Sequence, residues 1–302
     1  MPVVHIHAQN YQLPELKKNL DQAAQGLGGW EEILAGRKRI LLKPNLVLAG
    51  PMGALRNTHT NFIIAMAELL LDRGCEVGVG ESPSTGSARQ AFHHMGALDD
   101  LVRLGVEIVE FKKKKTLGNL APGYPFLGLA QELDDWEGVI NLPKLKAHQQ
   151  SVFSGATKNL YGCVPGKLKA IQHFTSRDNL LGFMTMIHMV AQQVAPIAHF
   201  ADGIEILTKN GPIDGECLPL GSILASRDGL ALDWVFCRRV GLNPLNTPLF
   251  MVASPTEDPS IIGEPLTQVE GFVVPEQQPI RFRFFHILGS VVRGIKAQLF
   301  NR

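Results

Sequence analysis

Between Lys144 and Phe174 the sequence KLKAHQQSVFSGATKNLYGCVPGKLKAIQHF carries five lysines, two histidines, three glycines and one proline, and no acidic residue. Cations without counter-charge are costly to bury unless a negative guest or distant carboxylates compensate them. The run is therefore a candidate anion site. Lys144, Lys146 and His148 alternate, and an extended backbone would point all three to one side. In SVFSGATKN a loop enters a helix: Ser154 is placed to cap it, Gly155 permits close approach of a ligand, and Lys158 follows about one turn later. GCVPGKLK supplies a second tight turn at Gly166, with Lys167 and Lys169 behind it. Those two lysines are expected to face water, Lys144 and Lys158 less so, because the latter sit among apolar or glycine neighbours.

His148 and His173 bracket Lys158. An imidazole is the usual proton shuttle near neutral pH and a common ligand for nickel, zinc or iron; the alternative for each is a structural role. GCVPGK is not a nucleotide-binding P-loop, since three rather than four residues separate its glycines and Leu168 stands where a magnesium-binding Ser or Thr belongs. No G-x-G-x-x-G follows the first strands, and no G-x-S-x-G offers a hydrolase nucleophile. Cys75, Cys163, Cys217 and Cys237 are widely spaced with no C-x-x-C pair, so no iron–sulfur cluster is expected and the thiols suit a cytoplasmic protein. With 29 Lys and Arg against 28 Asp and Glu, no whole-chain field points to nucleic acid. The start MPVVHIHAQNYQL does not read as a signal peptide, and no apolar stretch approaches the roughly 18 residues of a membrane span.

The elements that must position these residues alternate between strand-like and helix-like patterns. Short apolar runs, Lys38–Asn45, Cys75–Ser82, Gly105–Phe111, Gly138–Lys144, Ile197–Gly203 and Leu220–Ser226, read as strands. Leu13–Gln25, Asn61–Arg73, Ala88–Met95, Leu180–Val194 and Asp228–Val240 read as helices. Such strands between helices predict an α/β fold, a mostly parallel sheet covered on both faces, over residues 1–275, with a possible break near 176–180. Asn210–Glu216 holds two turn signatures and predicts a hairpin or small excursion. Phe111–Asn119, with four successive lysines, reads as a solvated strand exit or edge guard.

Each strand then ends in something chemically capable: Lys43-Pro44-Asn45, Glu81-Ser82, Asn141 with Lys144, Asp202, and Ser226 with Asp228. In open α/β sheets the ligand crevice lies beyond the carboxyl ends of the strands, where these groups would converge; the alternative is that they are helix caps and turn formers. The tail, 276–302, places Phe284, Leu288, Val291, Ile295 and Leu299 at helical spacing among Arg281, Arg283, Arg293, Lys296 and Arg302. It could dock on its own domain or a second subunit, or lie on an anionic membrane surface.

The central stretch, with LLKPNLV, GESPSTG, ADGIEILTKNGPIDGE and LASRDGLALDWV in order over residues 38 to 245, resembles the family catalogued as domain of unknown function 362, DUF362. Many members of that family carry a ferredoxin-like module with two four-iron clusters; this chain lacks its cysteine spacing. A shorter stretch, His148…SGATK…PGK…His173, is similar in order to a loop of nickel-pincer lactate racemases. That resemblance implies Lys158 as a tether or cofactor contact, His173 as a metal ligand and His148 as an acid/base.

The combined reading is an enzyme that holds a small anionic substrate or phosphate-bearing cofactor through Lys43, Asn45, Ser82, Lys144, Lys146, Ser154, Gly155, Lys158 and Gly166. His148 and Lys158 would act on it, and His173 and Asp202 are the candidate ligands for a transition metal, with Glu81 balancing charge. Proton transfer beside a carboxylate, as in racemisation or isomerisation, suits that set. The alternatives are a redox accessory protein working with a ferredoxin-type partner, and a non-catalytic binding module.

Overall fold

The computed structural model describes residues 1–47, 54–83, 86–117, 124, 127–166, 169 and 179–280. In chain order the elements are β1 (Pro2–His7), α1 (Leu13–Gly26), α2 (Trp30–Leu34), β2 (Arg39–Pro44), α3 (Thr60–Leu71), β3 (Glu76–Glu81), α4 (Ala88–His94), α5 (Leu98–Arg103), β4 (Glu107–Glu110), β5 (Lys114–Thr116), β6 (Gly128–Ala130), β7 (Gly138–Leu142), β8 (Lys144–His148), β9 (Val152–Ser154), α6 (Ala156–Asn159), α7 (Leu180–Val194), β10 (Ala198–Thr208), β11 (Glu216–Ser226), α8 (Gly229–Arg239) and β12 (Ser260–Gly263).

The apolar runs pair as β12-β1-β11-β10-β7-β2-β3-β4. From β10 to β4 every pairing is parallel, while β11 runs antiparallel to both β10 and β1. The expected mostly parallel α/β sheet is therefore present, with helices on both faces. Alternation along β2 shows why: Ile40 and Leu42 join a cluster with Leu16 and Leu20 of α1 and Phe62, Ile63 and Met66 of α3. Leu41, between them, joins Phe183 and Ile187 of α7 and Leu232, Val235 and Phe236 of α8 on the other side. Successive residues on a strand face opposite ways, so a continuously apolar strand serves two cores.

Asn210–Glu216 does turn a hairpin, but between longer strands than the sequence suggests: β10 runs on to Thr208 and β11 begins at Glu216. Lys114–Thr116 and Gly128–Ala130 form a separate small antiparallel pair with Lys112–Lys115 exposed. Asp228 and Ser226 do not join the other strand-end residues. The Asp228 carboxylate caps α8, accepting from the amides of Leu230 and Ala231, and the Ser226 hydroxyl donates to the Pro2 carbonyl. Here the capping alternative holds. Among the described residues no helix is long and apolar enough to cross a membrane.

Two features of the topology create the site. The chain moves outward from β2 through β3 to β4, then returns to place β7 on the opposite side of β2. The carboxyl ends of β2 and β7 thus flank the point where the winding reverses, the usual crevice of such sheets. Beyond that end Pro143 interrupts the β7 ladder for one residue, and the chain resumes as β8, which pairs with the second half of β10 and folds back on β9. Lys144, Lys146 and His148 are therefore on one extended strand above the crevice.

Candidate functional site

Lys43 is the last residue but one of β2 and has no exposed surface. Its ammonium donates to Glu81 Oε2 at 2.5 Å and to the Pro44 carbonyl at 2.8 Å. Gly162 makes room for this pair: a Cβ there would stand 2.5 Å from both Glu81 Oε1 and Lys43 Nζ. The second pair is built on Asp202, which is also fully buried. Its Oδ2 accepts from Lys144 Nζ and from the His59 amide, each at 2.9 Å, and its Oδ1 accepts from the Tyr11 hydroxyl at 2.8 Å. The Tyr11 ring stacks on His59 with centroids 3.8 Å apart. Burial pushes the His59 imidazole down to about 4, so it is neutral at pH 7, and its Nδ1 accepts from the Asn61 amide at the start of α3.

Glu81 and Asp202 are thus committed, and the lysine supply is not exhausted. Lys146, buried on β8, donates among the described residues only to neutral oxygens, Asn45 Oδ1 at 2.5 Å and the Arg56 carbonyl. Lys169 is half-buried and donates to the Ser82 carbonyl at 2.5 Å, with Glu81 Oε1 at 3.9 Å. The reading of Lys169 as a water-facing lysine is therefore corrected. Lys158, half-buried on α6, donates to no described residue and pairs with no described carboxylate. Burial lowers Lys158 to about 8, with the charge of Lys169 adding to the effect. Burial also takes Lys169 to about 8 against the pull of Glu81. Lys146 is held well below its ordinary value by burial and then by Lys158 and Lys144.

A chain of amides locks the strand ends to α6. Asn45 Nδ2 donates to Asn159 Oδ1 at 2.8 Å, and Asn159 Nδ2 donates to Asn141 Oδ1 at 2.7 Å and to the Lys43 carbonyl at 3.1 Å. Asn141 Nδ2 in turn reaches the Ala156 carbonyl and His199 Nδ1, both at 2.9 Å. Burial holds His199 down to about 4 and hence neutral, accepting at Nδ1. Buried amides satisfied at each atom in this way give a rigid frame.

Asp233 of α8 supplies the cap of α6. Its carboxylate accepts from the Ala156 amide at 2.6 Å and the Thr157 amide at 2.9 Å. Ser154, expected at that cap, is instead opposite Lys146 in the β8–β9 ladder. Gly155 is the residue that lets Asp233 in: a Cβ there would lie 2.1 Å from Asp233 Oδ1. Its missing side chain thus accommodates a carboxylate of the chain itself. Burial raises the Asp233 carboxyl from 3.8 to about 7 despite these donors. A carboxyl raised on folding contributes stability that is complete below the unfolded value and is lost as pH rises through the folded one. The wild-type unfolding midpoint in urea, taken relative to that of Asp233→Asn, is expected to fall between about pH 4 and pH 7 and to level off above that.

The structure brings Lys43, Asn45, Ser82, Lys144, Lys146 and Asp202 into this network, with Lys158 at its edge and Gly166 joined through its amide to Ser82 Oγ at 2.7 Å. His148 is buried at the far end of β8, where its Nδ1 accepts from the Gln150 amide, and no described hydrogen bond joins it to Lys158. His173, Lys167 and the basic tail from 281 lie outside the described residues. Among the described residues no three His, Cys, Asp or Glu side chains converge as a metal site, and both oxygens of Asp202 already have donors. Ser82 and Gly166 also border a cleft of about 490 Å³ that continues past Pro83 and Phe111 to Lys112 and Lys114.

Sequence reasoning missed Tyr11, His59, Asn159 and Asp233. Asn159 stands one residue after Lys158 and could have been flagged as a polar residue in the central run. Tyr11 lies 191 positions from its partner Asp202 and carried no local signal.

The family model described as Domain of unknown function (DUF362) matches residues 40–238. A thylakoid-associated protein of Synechocystis sp. is 35% identical over 243 residues, 80% of this chain and 75% of that protein. Among solved structures, the lactate racemase apoprotein from Thermoanaerobacterium thermosaccharolyticum aligns with a TM-score of 0.49 and 12% identity. That alignment covers 78% of this chain, which spans 56% of the length of the racemase chain.

Proposed function

The chain belongs to the DUF362 family, and from that premise we propose that its strand ends bind a small carboxylate- or phosphate-bearing molecule on which Lys158 acts. One observation carries the reading: Glu81 and Asp202 are taken by Lys43 and Lys144, and Lys146 and Lys158 are left with no described carboxylate. Cations in this state repel one another, and an anionic guest would remove that cost.

The chemistry follows from the same placement. Ammonium groups beside a bound carboxylate stabilise the negative charge that develops when a proton leaves the adjacent carbon. Lys158, at about 8, is near the value that serves general acid–base catalysis at neutral pH. Lys43 and Lys144 hold the framework rather than the ligand, because their ammonium groups are already spent on buried carboxylates.

Thermal unfolding at constant ionic strength tests the reading. Phosphate or a small carboxylate such as lactate is expected to raise the wild-type midpoint, a ligand at a hundred times its Kd contributing about 2.7 kcal/mol. In Lys158→Met or Lys146→Met that gain is lost; ligand-free Lys158→Met is expected to be at least as stable as wild type because a repulsion has been removed, whereas Lys146→Met also strips a donor from Asn45 Oδ1 and the Arg56 carbonyl and is expected to be less stable. Equal stabilisation of wild type and both variants would overturn the assignment.

A further inference from the structure

Four of the five lysines described around the crevice have their protons placed. Lys43 and Lys144 are on carboxylates, Lys146 is on an amide and a carbonyl oxygen, and Lys169 is on a carbonyl. Lys158 differs from all of them: its amine meets no described acceptor. The backbone that carries it is nevertheless held in place, since α6 is pinned at its start by Asp233 and at its end by Asn159. A cation kept only for its charge has no need of so rigid a mount with nothing to bond to.

We propose that Lys158 is a nucleophile that captures a carbonyl group on the bound anion, so that the ligand class is a molecule carrying both an anionic group and an aldehyde or ketone. The proposal rests on the anion site argued above and names its substrate class. The free amine attacks the carbonyl carbon and forms a C–N bond; both amine protons pass in turn to the oxygen, and the C–O bond breaks as the oxygen leaves as water. Amine and carbonyl thus yield an imine and one water, with no oxidant or reductant consumed. Protonated, the imine carries the same single charge as the ammonium it replaces. It withdraws electrons from the neighbouring carbon, easing loss of a proton or of a carboxylate from it. Burial and the nearby ammonium of Lys169 favour the uncharged, reactive form of the amine.

The test uses the full chain with two probes, pyruvate as a 2-oxo acid and pyridoxal 5′-phosphate as a phosphorylated aldehyde, each with cyanoborohydride to trap the imine, followed by peptide mass spectrometry. A lysine near 8 rather than 10.5 has about two hundredfold more free amine at pH 7.5, partly offset by its lower basicity. The adduct at Lys158 is therefore expected to form about tenfold faster than at the exposed Lys112 and Lys113 with at least one probe, and inorganic phosphate should slow it. Lys158→Arg should carry no adduct at 158. Labelling of Lys158 no faster than of Lys112 by both probes, with phosphate stabilisation intact, would overturn the nucleophile and leave the anion site. Fast labelling that phosphate fails to slow, with no stabilisation by any anion, would instead overturn the anion site and retain the nucleophile.

Discussion

Glu81→Gln is expected to lower the free energy of unfolding by about 3–5 kcal/mol in urea titration, because it leaves Lys43 charged, unpaired and sealed from water. The loss is larger than the removed attraction alone, since the Ser82 amide also loses a charged acceptor and Lys169 its nearest carboxylate. Removing both partners should behave differently. The double variant Lys43→Met with Glu81→Leu is expected to recover most of the loss, as buried ion pairs replaced by apolar groups of similar volume are often near neutral. Salt should change neither result much, for the pair lies where solvent ions do not screen it. If Glu81→Gln cost no more than a surface substitution, below about 0.5 kcal/mol, the pair would not be the buried framework described here.

The second large effect is expected at Gly155. Gly155→Ala drives a Cβ into the Asp233 carboxylate, which must retreat from the Ala156 and Thr157 amides. Two buried donors without an acceptor, at about 1–3 kcal/mol each, put the cost near 2–6 kcal/mol. The same retreat releases the start of α6, so the variant should also lose the phosphate stabilisation that depends on Lys158 even at temperatures where it remains folded. Paired measurement of urea midpoint and phosphate-induced thermal shift checks both parts. Asp233→Asn serves as the control, since it keeps the side-chain volume and one acceptor and should cost less than Gly155→Ala.

These two glycines of the central run explain where reading the sequence succeeds and where it stops. Gly155 and Gly162 both serve close approach, as their residue type allows. What approaches them is a carboxylate of the chain: Asp233 from α8 at Gly155, and Glu81 with Lys43 at Gly162. Lysines 43, 144, 146 and 158 could be singled out from sequence because cations among apolar and glycine neighbours have few ways to be satisfied. Which of them are spent on carboxylates could not. Asp202 was visible as a strand-end acid, yet its companions Tyr11 and His59 reach it from two other segments with no spacing that links them.

From sequence alone came the α/β class, most strand and helix positions, the family, and the concentration of positive charge between 144 and 169, because apolar periodicity and residue type are local properties. Tertiary structure alone decided which charges cancel: the winding reversal between β2 and β7 and the resumption of the chain as β8 bring Glu81 and Asp202 to two of the lysines and leave Lys158 without a described partner. Electrostatic pairing depends on distance through space, and a pairing across 38 or 58 positions leaves no trace in the order of the residues.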